Sequence, residues 1–138
     1  MKKRISISIL LVFLFTSILF LSACKDTGGI SDIDKKVIPS SNVSYSEYIQ
    51  PVFNAHCTNV GCHDDATRAA GLSLTSWGNA TEDYLVVAPG NPDNSRLVWA
   101  IEANGAILMP PYDASVLPLN SNQIQGIKTW IKEGAKNN

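Results

Sequence analysis

The sequence predicts an all-α domain of about three helices joined by long irregular loops, with no convincing sheet. Three stretches repeat their apolar residues at spacings of three and four, which is the main sequence signal for a helix. The segments between them are rich in Pro, Gly and Asn, which favour turns and end helices.

Size and charge exclude several classes of protein. The chain of 138 residues favours one domain and is too short for a (β/α)₈ barrel, which needs about 250 residues. Its 11 Lys and Arg residues against 12 Asp and Glu residues give a net charge of −1. A nucleic-acid-binding domain would carry a basic excess. With three Cys, two His and two Met, any metal or redox site must draw on few residues.

Residues 1–23 have the pattern of a secretory signal peptide. A basic start is followed by Ile5–Leu21, 17 residues without a charge. The sequence Leu21-Ser22-Ala23-Cys24 resembles the lipobox of bacterial lipoproteins, in which the Cys becomes the lipid-bearing N-terminus. An uncleaved anchor is the alternative, although a bilayer core needs about 20 apolar residues. We predict a cleaved signal peptide and a lipid on Cys24.

The mature chain would begin with a polar segment over residues 24–42. Loss of the three basic residues of the signal peptide lowers the net charge to −4, which favours basic or neutral partners. The segment lacks an apolar period and contains Gly28-Gly29 and Pro39, so we predict a flexible tether. Residues 43–138 would form the domain, whose own core is limited at this size.

The first predicted helix covers about residues 44–55. Ser44 or Ser46 would cap its start, and Pro51 would bend or interrupt it. Its apolar face consists of Tyr45, Tyr48, Ile49, Val52 and Phe53.

The middle helix is predicted over Asn94–Ala103, after a turn-rich sequence. Asp93 or Asn94 would be its N-cap. Residues 70–77 before it are expected to be extended or irregular. The Met109-Pro110-Pro111 segment after it cannot be helical, because two successive prolines prevent a helix. The apolar face consists of Leu97, Val98 and Ile101, with Trp99 as a further candidate.

The last helix has the clearest start and stop signals. Asn120 and Gln123 have the spacing of a capping box, and Gly134 suits the end of the helix. One apolar stripe consists of Ile124, Ile127, Trp130 and Ile131.

Both His residues and two of the three Cys residues lie in one segment, and its order predicts haem attachment. Cys62-His63 matches the end of the Cys-x-x-Cys-His sequence of c-type haem sites. Attachment needs two thiols that reach the haem vinyl groups and an imidazole directly after the second thiol. Four residues separate Cys57 from Cys62, and Asn59 and Gly61 tolerate the turns that let this longer loop bulge. The whole segment is His56-Cys57-Thr58-Asn59-Val60-Gly61-Cys62-His63.

Three other interpretations of this segment are open. A zinc site could use both His and both Cys, although structural zinc sites draw their ligands from two separated knuckles. A disulfide between Cys57 and Cys62 would suit an exported protein. A thiol–disulfide oxidoreductase would need Cys-x-x-Cys at the start of a helix, and both the spacing and the setting differ here.

Met109 is the candidate for the second axial ligand of a haem iron. It lies 46 residues after His63, in a loop stiffened by Pro110-Pro111, and is the only Met outside the signal peptide. The alternative is a core-filling Met. His56 is a poor candidate because it neighbours a haem-bonded Cys, and we interpret it as a surface or loop residue.

The segment from Tyr48 to Ala135 resembles the small c-type cytochrome domains of exported bacterial proteins. The resemblance implies a class I cytochrome c-like fold, in which the first and last helices cross beside the haem. Tyr48 or Val52 would then contact Ile127 or Trp130. The four-residue Cys spacing departs from the usual motif and leaves the attachment machinery open. The matching elements are Ile49–Phe53, Cys62-His63, Gly71–Leu74, Val87–Pro92, Met109–Pro111, Gln123-Ile124 and Trp130–Ala135.

The sequence thus predicts a lipid-anchored monohaem c-type cytochrome, an electron carrier and not an enzyme. Cys57 and Cys62 would bind haem c covalently, with His63 and Met109 as axial ligands of the iron. Its partners would be a redox donor and acceptor, and it would lie in the cell envelope, facing the periplasm or the exterior. The alternatives are a haem peroxidase-like enzyme and a haem-free, disulfide-stapled surface module.

Two further groups of residues are candidates for the haem surroundings. Arg68 and Arg96 could pair with haem propionates, because a guanidinium suits carboxylates. Solvent exposure of both is the alternative. The three tryptophans, expected in the core or lining a haem pocket, are Trp77, Trp99 and Trp130.

Overall fold

The computed structural model describes residues 29–104 and 107–138. Over these residues it contains helices and loops and no strand, which confirms the all-α class. The described residues include no helix that is both long and apolar enough to span a bilayer. The predicted signal peptide and Cys24 lie outside the described residues. The α-helices are α1 (Ile30–Lys35), α2 (Gln50–His56), α3 (Trp77–Ala80), α4 (Arg96–Ile101) and α5 (Ser121–Lys132).

The first predicted helix forms in two parts. Tyr45–Ile49 is a π-helical turn, and α2 begins at Gln50. Pro51 lies in the first turn of α2, where its missing N–H removes no helical hydrogen bond. The Ser44 hydroxyl accepts a hydrogen bond from the Glu47 N–H at 3.2 Å, so Ser44 caps the start as predicted.

The middle helix, α4, is shorter than predicted. Neither predicted cap is used, because Asp93 and Asn94 lie in a 3₁₀ turn and Ser95 occupies the N-cap position. The Ser95 hydroxyl is buried and accepts a hydrogen bond from the Ala88 N–H at 2.9 Å instead of capping the helix. The helix ends at Ile101, and its buried face matches the predicted one.

The last helix, α5, agrees with its prediction at both ends. The Asn120 side chain accepts from the Gln123 N–H at 2.9 Å, and the Gln123 side chain accepts from the Asn120 N–H at 2.8 Å, which completes the capping box. Gly134 follows the helix with a φ of +100°, a conformation that suits glycine. Of the predicted stripe, Ile124 is half-buried and the fully buried members are Ile127, Trp130 and Ile131.

The first and last helical regions pack against each other through aromatic rings. The ring of Trp130 lies 5.2 Å from that of Tyr45 and 6.4 Å from that of Phe53, measured between centroids. All three side chains are buried. The predicted helix contact therefore forms, but its aromatic part uses Tyr45 and Phe53 where Tyr48 or Val52 was expected.

The prediction of a flexible tether over residues 24–42 is wrong from residue 30 onwards. Residues 30–35 form α1, and Ile38 is 4% exposed. Its side chain lies so close to Gly126 of α5 that a Cβ there would be 2.7 Å away. The Asn122 side chain also bonds both backbone groups of Ile38, at 2.8 and 3.1 Å. Composition does not indicate this docking, because the segment is largely polar and the partners of Ile38 lie far away in sequence.

The carboxylate of Glu133, the residue directly after α5, binds the chain where the predicted domain begins. The Glu133 side chain accepts from the N–H groups of Asn42 and Val43, at 2.6 and 2.9 Å. Val43 is buried, so this contact joins the start of the domain to the end of its last helix.

Candidate functional site

The chain after α2 turns back on itself and carries the predicted attachment residues. The His63 N–H donates to the Cys57 carbonyl at 3.0 Å, and the Cys62 N–H donates to the Asn59 carbonyl at 2.9 Å. Gly61 has a φ of +89°, as the prediction of a bulging loop requires, whereas Asn59 needs no such conformation. The two ends of the loop are therefore close despite the four-residue Cys spacing.

Cys57 and Cys62 are both free thiols. Burial raises the pKa of Cys57 to about 12, with a smaller contribution from the neighbouring Cys62, so the Cys57 thiol is protonated in apolar surroundings. The zinc interpretation also lacks support, since no three His, Cys, Asp or Glu side chains converge on a metal-sized site within residues 29–104 and 107–138. The disulfide interpretation is not met in this structure, where neither thiol is bridged.

His63 is held so that one ring nitrogen remains available. Its Nδ1 lies 3.3 Å from the Leu72 carbonyl oxygen, and the Leu74 N–H donates to the His63 carbonyl at 2.9 Å. When Nδ1 carries the hydrogen for this contact, the lone pair is on Nε2, which is the usual arrangement of a metal-binding histidine. Leu72 and Leu74, in the segment predicted as extended or irregular over residues 70–77, thus support the ring, although Ala69–Gly71 forms a 3₁₀ turn and Trp77 already begins α3.

A polar network that the sequence analysis missed fixes the same segment. One oxygen of Asp65 accepts from the hydroxyls of Ser73 and Thr75, both at 2.7 Å, and from the Asn79 amide at 3.1 Å. These hydrogen bonds hold the pKa of Asp65 below its usual value. Since Ser73 directly follows Leu72, the network also fixes the carbonyl that faces His63. An Asp followed by a Ser-x-Thr pair occurs in many proteins, so this pattern did not indicate the network.

The neighbouring Asp64 closes the turn after His63. Its carboxylate accepts from the N–H groups of Ala66 and Thr67 at 2.9 Å and from that of Gly61 at 3.2 Å. The bonds from Thr67 contribute most to a lowered pKa of Asp64. The two carboxylates therefore order the chain on both sides of the predicted axial ligand.

Met109 lies at the same site, although it comes from the loop that follows α4. Its N–H donates to the Ala100 carbonyl of α4 at 2.9 Å, and the loop continues through Pro110 and Pro111, as predicted. Cys57, His63 and Met109 all line an apolar cavity of about 390 Å³ and a smaller one of about 130 Å³. Cys62 lines the smaller of the two. The structure therefore brings together the four residues that the sequence singled out.

The cavity and its donors fit a c-type haem. A volume of about 390 Å³ lies within the range of pockets for small molecules and cofactors. Two unbridged thiols, an imidazole with one nitrogen free and a thioether are the groups that covalent haem attachment and axial ligation require. The apolar walls of the larger cavity include Leu72, Leu74, Val86, Leu97, Trp99 and Ile101.

The two candidate arginines occupy different places. Arg96 lines the larger cavity and remains a candidate partner for a propionate. Arg68 pairs with Glu82 at 3.2 Å on the surface, where both side chains are exposed. The sequence could not distinguish them, because it does not show which arginine has an acidic neighbour.

The three tryptophans also differ in role. Trp130 is fully buried in the aromatic core, and Trp99 is 42% exposed beside the larger cavity. Trp77 is half-buried, and its Nε1–H donates to the Ala135 carbonyl at 2.8 Å. Core packing and cavity lining, the two expected roles, are thus divided among them.

The interpretation of His56 as a surface or loop residue is wrong. It is the last residue of α2 and is 2% exposed. Its Nδ1 lies 3.0 Å from the Leu117 carbonyl oxygen and its Nε2 lies 2.8 Å from the Asp34 carboxylate. Gln123 donates to the same Asp34 oxygen at 3.0 Å. No local pattern could have indicated partners 22 and 61 residues away.

Comparison with known families and proteins adds one finding. Residues 60–113 match the family model described as Planctomycete cytochrome C. The matched segment includes Cys62, His63 and Met109 and begins after Cys57. Neither the curated proteins nor the solved structures gave a match. The match supports a cytochrome c-like domain in this chain and suggests an electron carrier of the cytochrome c type.

Proposed function

We propose that this protein is a lipid-anchored cytochrome with a single haem c that carries single electrons outside the cytoplasmic membrane. One observation supports this above the others. Cys57 and His63, together with Met109 from 46 residues further along the chain, line one apolar cavity, with Cys62 on its smaller neighbour. The match to residues 60–113 points in the same direction.

Each residue of the site has a distinct role in this proposal. Cys57 and Cys62 would hold the haem through thioethers, and His63 Nε2 and the Met109 sulfur would be the axial ligands. The haem, when bound, supplies reversible one-electron exchange at its iron. The Leu72 carbonyl orients the His63 ring, and the apolar walls exclude water from the site. His/Met ligation favours a raised reduction potential.

The attachment to a membrane is a separate part of the proposal. A lipid on Cys24 would hold the mature chain to a membrane, with redox proteins as donor and acceptor. The net charge of −4 that remains after cleavage would favour partners with a basic or neutral surface.

Maturation of the full chain with cytochrome c assembly factors tests the haem site. We expect a haem band on a denaturing gel and a sharp low-spin absorbance spectrum. Cys57→Ser should leave the haem on one thioether or lose it. No Soret band in the unsubstituted protein would contradict the proposal and favour the haem-free module, and a high-spin spectrum would favour the peroxidase-like alternative.

Cys24→Ser serves as the matched thiol control and tests the anchor. It should spare the haem and release the protein from the membrane fraction. Continued partition with membranes would favour the uncleaved anchor over the lipid.

A further inference from the structure

We propose that His56 is a positioning residue that holds the Met109 segment, residues 107–119, over the cavity, and that Asp34 holds the His56 ring in place. This inference rests on the proposed function, because it concerns the segment that carries the second axial ligand. It assigns a role to a buried polar side chain that neither attaches the haem nor binds its iron.

The His56 ring lies where four parts of the chain meet. It belongs to α2, faces Asp34 of α1 at 2.8 Å, and faces the Leu117 carbonyl of the Met109 segment at 3.0 Å. Gln123 of α5 donates to Asp34 at 3.0 Å and lies 3.5 Å from the ring. Because the ring is 2% exposed, these contacts are shielded from competition by water.

The Met109 segment has an attachment at each side of its exposed part. On one side the Met109 N–H bonds the Ala100 carbonyl at 2.9 Å, and on the other the His56 ring bonds the Leu117 carbonyl. Between them Tyr112 is 89% exposed, and the Leu117 side chain itself is 69% exposed. Pro110 and Leu119 are buried and fix the two ends of the segment, and the His56 bond fixes the Leu117 carbonyl between them.

The two acceptors fix the ring in one orientation. Asp34 and the Leu117 carbonyl each face a different ring nitrogen, so both bonds form together when both nitrogens carry hydrogen. Asp34 is itself fixed, since its carbonyl accepts from the Asn120 side chain at 3.1 Å and its carboxylate from Gln123. Loss of Asp34 should therefore loosen the ring, and through it the Leu117 carbonyl.

His56 also lies next to the proposed site. It directly precedes Cys57 and lines the smaller cavity together with His63 and Met109. A displaced Met109 segment should thus weaken the sixth ligand while the attachment and the His63 ligand remain.

Two substitutions at one position separate the two ring contacts. The amide nitrogen of Asn takes the place of Nδ1, and that of Gln takes the place of Nε2. His56→Asn therefore keeps a donor for Leu117, and His56→Gln keeps one for Asp34. In His56→Gln the unsatisfied carbonyl should let added imidazole displace Met109 from the ferric iron at about tenfold lower concentration, with a smaller change in His56→Asn. Amide exchange over residues 107–119, measured by mass spectrometry on the same haem-loaded proteins, should rise more in His56→Gln than in His56→Asn.

Asp34→Ala provides a test in which His56 itself is not substituted. It should shift imidazole binding and amide exchange in the same direction as His56→Gln, but less. Asp32→Ala is the matched control, because Asp32 is an exposed carboxylate of the same helix. Wild-type imidazole binding and wild-type exchange in both haem-loaded His56→Gln and Asp34→Ala would overturn this inference alone. If the wild-type chain carried no covalent haem after maturation, the proposed function and this inference would both be overturned.

Discussion

The aromatic core and the cavity are built in opposite ways. The core joins helical segments through Tyr45, Phe53 and Trp130, whose rings lie 5.2 to 6.4 Å apart and are buried. The cavity takes its reactive residues from loops, or from the residue just after a helix, and leaves a space of about 390 Å³. Backbone and carboxylate hydrogen bonds, more than packing, fix these loops.

This difference indicates that separate residues carry the stability and the chemistry. The aromatic side chains of the core pack against one another without any ligand. Removing one of them should therefore lower the free energy of unfolding directly. The cavity is lined by side chains that we propose to bind a haem. Substitutions there should therefore change the ligation of the haem iron more than the free energy of unfolding. Substitutions in the core and in the cavity test this separation.

Trp130→Ala should destabilise the domain by about 3–5 kcal/mol, because it removes a fully buried ring and leaves a cavity in the core. Trp99→Ala is the matched control, since its ring is 42% exposed and should cost much less. Denaturant unfolding followed by circular dichroism measures both. Equal losses for the two variants would contradict the proposed division between core and cavity.

Met109→Ala should give a folded protein with its haem still attached through Cys57 and Cys62. The ferric spectrum should lose the weak near-infrared band of a sulfur-ligated iron, and the iron should become high-spin or take up water or added imidazole. The reduction potential should fall, because a thioether stabilises ferrous iron better than water or nitrogen does.

The outcome for a Met that only fills the core would differ. Truncation would then cost about 2–5 kcal/mol through the cavity it leaves, and the ligation would be unchanged. A low-spin spectrum like that of the wild type, together with a lowered melting temperature, would therefore exclude Met109 as the ligand.

Gly126→Ala should destabilise the domain by about 1–3 kcal/mol, because the added Cβ would lie 2.7 Å from two carbons of the Ile38 side chain. Gly78→Ala is the control, since nothing lies within 4 Å of a Cβ there and the loss of glycine in α3 should be neutral or stabilising. Thermal unfolding compares the two. If Gly126→Ala behaved like Gly78→Ala, the docking of Ile38 on α5 would contribute little to stability.

Asn120→Ala should cost about 1 kcal/mol, since it removes the side-chain acceptor that caps α5. Asn120→Asp keeps the acceptor but loses the amide that donates to the Asp34 carbonyl, so it should recover part of this loss. Neither variant should alter the haem spectrum, and a shifted spectrum would show that the core and the cavity are coupled through this cap.

The sequence was sufficient for features that are encoded locally. The capping box of Asn120 and Gln123, the buried stripe of α5 and the closed loop from Cys57 to His63 depend on neighbours a few residues apart. The non-helical loop at Met109 follows from the two prolines after it. The cytochrome c-like character came from a resemblance, and the match over residues 60–113 supports it.

The parts that could not be predicted are the long-range polar contacts and one small apolar contact. No periodic pattern in the sequence indicates which polar side chains form hydrogen bonds with each other. This holds for His56 with Asp34 and for Asp65 with Ser73 and Thr75. Ile38 lies in a largely polar segment, and its burial depends on the absence of a side chain at Gly126. Periodicity reports which face of an element is apolar, but it carries no information about a polar partner far away.

The bond between Val43 and Glu133 has a consequence for the order of folding. It spans 90 residues, so the core cannot close until the chain has been made beyond residue 133. Closing so long a loop adds little entropic cost beyond that of a medium one, but contacts this remote slow the approach to the native state. We therefore expect an emerging chain to expose Cys57 and Cys62 for as long as α5 is missing. An enzyme that modifies these thiols would meet them before burial protects Cys57.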